Sequence, residues 1–150
     1  MSRFRQFPPL LLARATMLRL RGRVHFPRDR VGDVVQGNGE EYVVFRRMEV
    51  DVVAAGPERP GARFDVGFRF ARFSPGVNRA LSRIPMPLIA AQPGFRSKTW
   101  LLGRESGAFK GIYEWDTVAD AEAYWTSFPM RLMRRRAVPQ TLTKRITAIG

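Results

Sequence analysis

Residues 62–149 predict an α+β fold, a ferredoxin-like β-α-β-β-α-β unit, on three observations. Phe64, Val66, Phe68 and Phe70 alternate with Arg63, Asp65, Gly67 and Arg69, the period of two that puts neighbouring side chains on opposite faces of a strand. Two further strand-like runs, 95–102 and 108–115, flank a short turn at 103–107 that begins and ends on glycine. Helix-start chemistry follows the first strand at Ser74-Pro75 and the third at Asp116-Thr117.

Each element has a local reason. Ser74 can cap a helix by accepting from a free N–H, and Pro75 suits the first helical position, where its missing donor costs nothing. That helix cannot run straight to Gln92, because Pro85 and Pro87 interrupt it and Pro87 disfavours helical backbone at Met86. Pro93-Gly94 ends the connection. In the second helix Thr117 and Asp120 approximate a capping box, with Asp in place of Glu. Ala121, Trp125, Phe128 and Leu132 fall close to one helical face, and Pro129 bends or divides the helix. Residues 141–149 supply the last strand. Two helices cover one face of the resulting sheet. The other face still carries large side chains and must meet either a second copy of the chain, the main expectation, or the N-terminal section.

Residues 1–61 are less regular. Pro8-Pro9 precedes a short apolar run, and from Leu18 to Phe26 apolar residues alternate with Arg19, Arg21, Arg23 and His25, which predicts a half-buried strand with a bulge at Gly22. Gly37-Asn38-Gly39 is a turn. The run 41–53 is rich in β-branched and aromatic residues and predicts a strand. Gly56-Pro57-Glu58-Arg59-Pro60-Gly61 is a loop rather than a domain boundary, since the irregular residues before it would not fold alone. The whole chain, 1–150, is therefore expected to be a single domain, with 1–61 packing on the 62–149 core.

Composition narrows the chemistry. A length of 150 residues with 45% hydrophobic content suits one folded domain. No apolar stretch approaches the roughly 18 residues of a membrane span, and no secretory leader is recognisable, so a cytoplasmic location is expected. Cysteine is absent and His25 is the one histidine, which leaves no thiolate nucleophile and too few imidazoles for an ordinary zinc or iron site. No cofactor or metal is expected. The net charge is +13, and of 26 basic residues 23 are Arg. Arginine clusters at 1–28 and at Arg131, Arg134, Arg135 and Arg136 would attract nucleic acid or acidic lipid without selecting between them, and no recognition motif accompanies them.

The segment 93–100 (Pro93-Gly94-Phe95-Arg96-Ser97-Lys98-Thr99-Trp100), the strand from Gly107 to Trp115 with Gly111-Ile112-Tyr113, and Ala121-Glu122-Ala123-Tyr124 resemble the YdhR-like family. These are small proteins described as putative monooxygenases of the dimeric α+β barrel superfamily. The resemblance covers residues 62–149 and leaves 1–61 and Phe128-Pro129 outside the family's pattern. It implies a homodimeric α+β barrel. The activity it implies is cofactor-independent oxidation of a small aromatic or polycyclic compound. Its superfamily also contains proteins without known chemistry, so a non-catalytic small-molecule-binding or structural dimer stands beside that reading.

A short 103–107 turn suggests a hairpin register in which paired residue numbers sum to about 210. Arg96 would then face Glu114, Lys98 would face Ile112, and Trp100 would face Lys110. Phe95, Thr99, Leu101, Phe109, Tyr113 and Trp115 would form the opposite, mainly aromatic surface. That surface can be core, the preferred reading, or the lining of an apolar pocket in which Tyr113 orients a ligand. Lys98, Tyr113 and Arg96 are the candidate catalytic residues, for proton handling, orientation and anion stabilisation respectively. Trp100, Phe109, Glu114, Trp115, Tyr124, Trp125 and Phe128 are the candidate pocket residues. His25, among arginines, is expected to be a surface residue.

Overall fold

The computed structural model describes residues 8–20, 22–37, 39–51 and 56–150. In chain order the elements are α1 (Pro8–Leu20), β1 (Val24–His25), β2 (Val34–Gly37), β3 (Glu40–Val50), β4 (Ala62–Phe68), α2 (Pro75–Leu81), α3 (Met86–Ala90), β5 (Phe95–Gly103), β6 (Phe109–Trp115), α4 (Val118–Trp125), α5 (Phe128–Arg136), a 3-10 turn (Pro139–Thr141) and β7 (Thr143–Ala148). The strands form one sheet in the order β1-β3-β5-β6-β4-β7, with β2 also on β3. Its β5-β6-β4-β7 part, with the helices between, is the ferredoxin-like unit expected over 62–149.

Local chemistry explains the helix boundaries. Ser74 accepts from the Val77 N–H and caps α2. The chain turns after Leu81 and resumes as α3, which includes Met86 despite the following Pro87: Pro87 sits in the first turn, where its missing N–H is no loss. Thr117 caps α4 by accepting from the Asp120 N–H at 3.1 Å. Pro129 divides the second helical segment, as its position predicts, and Ser127 caps the new helix α5. The division re-aims the apolar stripe. Phe128 and Leu132 are exposed, whereas Met130 and Pro129 are buried.

The N-terminal reading needs correcting. Residues 18–20 belong to helix α1, and the strand there shrinks to Val24–His25. Pro8-Pro9 opens a run of good helix formers that propagates through Leu20. Gly22, at φ +62°, lies just past the end, the left-handed conformation that favours glycine. The expected 41–53 strand is β3, ending at Val50; residues 52 and 53 lie outside the described residues. β3 extends the sheet at the edge of β5, pairing from Tyr42↔Gly103 to Glu49↔Ser97 with a bulge between Val44 and Arg46.

The hairpin register differs from the expected one by a residue. Lys98 pairs with Tyr113, Thr99 with Ile112, Trp100 with Gly111 and Leu101 with Lys110, a sum of 211, with a bulge between Phe95 and Ser97 that absorbs the shift. A slip of one exchanges faces. Lys98 and Trp100 therefore share the helix-covered face with Phe109, Tyr113 and Trp115. Ser97, Thr99 and Leu101 share the outer face with Ile112 and Glu114. The main core lies on the helix-covered face, built on Phe64, Val66, Phe68, Tyr113, Trp115, Tyr124, Ile89 and Met130. Among the described residues no helix is long and apolar enough to cross a membrane.

Candidate functional site

Register and burial together place Lys98 inside the protein. Its side chain is 3% exposed, and its Nζ lies 4.4 Å from the Trp100 ring centre and 4.5 Å from that of Tyr113. Burial, and behind it the charge of Arg46, holds the amine well below its usual pKa. Gly111, opposite Trp100, makes room for this packing: a Cβ there would meet the Tyr113 ring at 2.9 Å and the Lys98 Cε at 3.2 Å.

Tyr113 in turn meets Tyr124, oxygen to oxygen at 3.1 Å, with both side chains fully buried. Burial pushes both phenols up, so each stays protonated as a donor and acceptor. Trp115 stacks beside Tyr113, with ring centres 6.1 Å apart, and lies 5.0 Å from Tyr124. Its indole N–H is buried without a hydrogen-bond partner, as are both amide atoms of Gln92.

Lys98, Tyr113, Trp100, Trp115 and Tyr124 are thus brought together. The remaining candidates are dispersed. Arg96 sits at the β5 bulge, where it pairs with Asp116 and donates to the Pro57 carbonyl. It does not pair with Glu114. Glu114 lies on the outer face, accepting from Ser97 Oγ at 2.9 Å and lying 3.8 Å from Arg47. Phe109 packs edge-on against Phe45 and Phe70, Trp125 against Phe64, and Phe128 is 40% exposed. His25 is half exposed and meets Asp51 at 2.8 Å. Arg69 is exposed, and its backbone N–H donates to Thr141. Among the described residues no group of three or more His, Asp or Glu side chains could hold a metal.

One strand away from Lys98 the helix-covered face opens into a cavity of about 540 Å³, between α1, the chain after β1, β3 and the α2–α3 segment. Met48 and Arg46, cross-strand neighbours of Lys98 and Trp100, belong to its wall. Phe45, Phe26, Val31, Met86 and Pro87 supply apolar surface, and Arg28, Arg46, Arg47, Arg79 and Arg83 supply charge. These residues escaped the sequence reading because they come from four separate segments. One signal was present: residues 66–104 contain seven basic residues and no acid.

Neither a protein-family model nor a curated protein matches the chain. Solved structures do resemble it. A heme-degrading enzyme from Listeria monocytogenes shares 12% identity at a TM-score of 0.57, over 85% of this chain and 97% of that one. A monooxygenase-like protein from Listeria innocua shares 10% identity at a TM-score of 0.55, over 75% and 66% of the two chains. A ferredoxin-fold protein from Listeria monocytogenes, related to antibiotic biosynthesis monooxygenases, shares 14% at a TM-score of 0.52, over 77% and 68%. At these identities the likeness is one of fold, and the fold is the ferredoxin-like α+β arrangement found in monooxygenase-like proteins.

Proposed function

We propose that this chain binds a small apolar or aromatic molecule in the cavity between its helices and its sheet. The observation that carries the reading is the cavity itself: about 540 Å³, walled by Phe45, Met48 and Met86 and fringed with polar groups, within the size range and of the mixed lining typical of small-molecule sites. Calorimetry with methyl 2-naphthoate tests it. One ligand per chain should bind, and Met86→Trp, which puts a large ring into the cavity, should remove the binding. No heat of binding at millimolar ligand would overturn the reading.

The buried amine supports a second reading, cofactor-independent oxygenation. Lys98, whose pKa burial lowers, would take a proton from an electron-rich aromatic substrate. The resulting anion would add dioxygen at carbon, and the hydroperoxide so formed would lose water, so that one oxygen atom enters the product and the other leaves as water, with the substrate supplying the electrons. The resemblance to the YdhR-like family and the monooxygenase-like fold point the same way, and Tyr113 would orient the substrate. In this reading Lys98→Met abolishes oxygen uptake with a hydroquinone substrate while ligand binding persists. Uptake that survives the substitution would exclude it.

The outer face supports a homodimer. It carries charges of both signs, Arg47, Glu49, Arg63, Asp65 and Glu114, beside the partly exposed Ile112, so a second copy can meet it with opposite charges. Sedimentation should give twice the 17.1 kDa chain mass, and Ile112→Arg should return it to one.

A further inference from the structure

Five arginines line the cavity, Arg28, Arg46, Arg47, Arg79 and Arg83, yet all 13 acidic residues of the chain lie among the described residues and none of them does. Arg47 is already paired with Glu49 and Glu114. Arg46, Arg79, Arg83 and Arg28 enter none of the ion pairs in the described residues. The contacts of Arg46 and Arg79 are with rings and neutral oxygens. Arg46 donates to Ser82 Oγ at 2.7 Å and to the Arg79 carbonyl at 3.3 Å. Phe45 lies between two guanidinium groups, that of Arg46 at 5.3 Å and that of Arg79 at 4.8 Å from its ring centre. Trp100 backs Arg46 from 5.4 Å.

We infer that the ligand of this cavity is an organic anion, its carboxylate or phosphate held by Arg46, Arg79 and Arg83 and its apolar body lying against Phe45, Met48 and Met86. The inference rests on the cavity being the binding site and adds the class of ligand. Three features support it. First, the arginines are held near one another: burial and the charges of Arg83 and Arg79 push the Arg46 guanidinium down to about 10, a repulsion that a bound anion relieves. The carbonyl end of α2 offsets part of that repulsion through the Arg46 hydrogen bond, but supplies no full negative charge. Second, Arg46 is fixed by its hydrogen bonds and stacking, so little of its side-chain freedom is lost on binding. Third, charge and apolar surface share a single cavity, so a ligand needs both parts to fill it.

The test compares three probes by calorimetry: 2-naphthoate, 1-naphthyl phosphate and the neutral methyl 2-naphthoate. Each charge-assisted hydrogen bond adds enough to favour the anions over the ester by about tenfold or more. Arg79→Gln/Arg83→Gln, at exposed positions, should erase that preference while the ester still binds. Arg131→Gln/Arg135→Gln, which removes the same charge from α5, should keep it. A stronger preference for the carboxylate or for the phosphate identifies the ligand's acidic group. Equal binding of acid and ester to the unmodified protein would overturn the anion assignment and leave the cavity reading standing. Loss of the preference in the α5 variant would overturn it too, by assigning the effect to net charge. Failure of all three probes to bind would overturn both readings.

Discussion

On the outer face of the sheet Arg47 meets Glu49 at 2.9 Å and Glu114 at 3.8 Å and donates to Thr99 at 2.7 Å, while Arg63 meets Asp65 at 2.9 Å. On the helix-covered face Lys98, Arg46 and Arg79 meet aromatic rings and neutral oxygens. Strand β3 contributes to both sets, through Arg47 and Arg46. On the outer face a cation is matched by a carboxylate two residues along its own strand, Arg47 by Glu49 and Arg63 by Asp65. On the inner face, burial lowers the pKa of the lysine, and Arg46, Arg79 and Arg83 at the cavity wall enter no ion pair among the described residues. The contrast shows which side of the sheet is complete in itself and which side has charge left for a ligand.

The comparison can be broken by substitution. The inner face should depend most on its rings: Tyr113→Ala, which empties the space between Phe64, Trp115 and Tyr124, should cost about 3–5 kcal/mol in urea unfolding. Lys98→Met should instead stabilise the protein, by about 1–3 kcal/mol at neutral pH, because it removes an amine buried without a carboxylate. The sign with pH follows from proton binding. Folded Lys98 holds its proton less tightly than the free amine, whose value is about 10.4, so falling pH favours the unfolded chain. The advantage of Lys98→Met should therefore shrink as pH rises toward about 10.4. Arg46 and the Tyr113 ring, which face the amine, are present in both proteins. An advantage that stays flat from neutral pH to that point would show a charged lysine.

Smaller effects separate the arginines of the two faces. Arg47→Met should cost about 1–2 kcal/mol, since it removes the ion pair of Glu49 and the hydrogen bond to Thr99 on a half-buried surface. Arg79→Ala should change stability by no more than about 0.5 kcal/mol, and the change should favour the variant, because one of two like charges beside Arg46 is gone. A larger loss at Arg79 than at Arg47 in parallel thermal melts would reverse the comparison. Gln92→Met tests the core from another side: both amide atoms of Gln92 are buried without a partner, so the variant should melt about 2–4 °C higher.

Ala62 to Phe68, with its strict alternation, and the caps at Ser74 and Thr117 were legible because they depend on neighbours a few residues away. The same holds for the division of the second helical segment at Pro129. The site was only partly legible. Lys98, Tyr113 and Tyr124 stood out as residue types, yet the hairpin turn alone could not reveal the bulge at Arg96 that shifts the register by one. That single residue put Lys98 with Tyr113 and sent Glu114 to the other face. Helix α1 was missed because arginines spaced two apart from Arg19 to Arg23 imitate a strand, whereas Gly22 ends a helix begun at Pro8.

By itself, then, the sequence determined the ferredoxin-like order of elements over 62–149, a chain without thiol chemistry, and an excess of arginine. Local backbone preferences, period and composition are properties of adjacent residues, so a single chain displays them. Which cations lose their water, which find carboxylates and which gather around a cavity depend on strand register and on segments as distant as Arg28, Arg46 and Arg83. Those are long-range pairings, and the tertiary structure alone decided them.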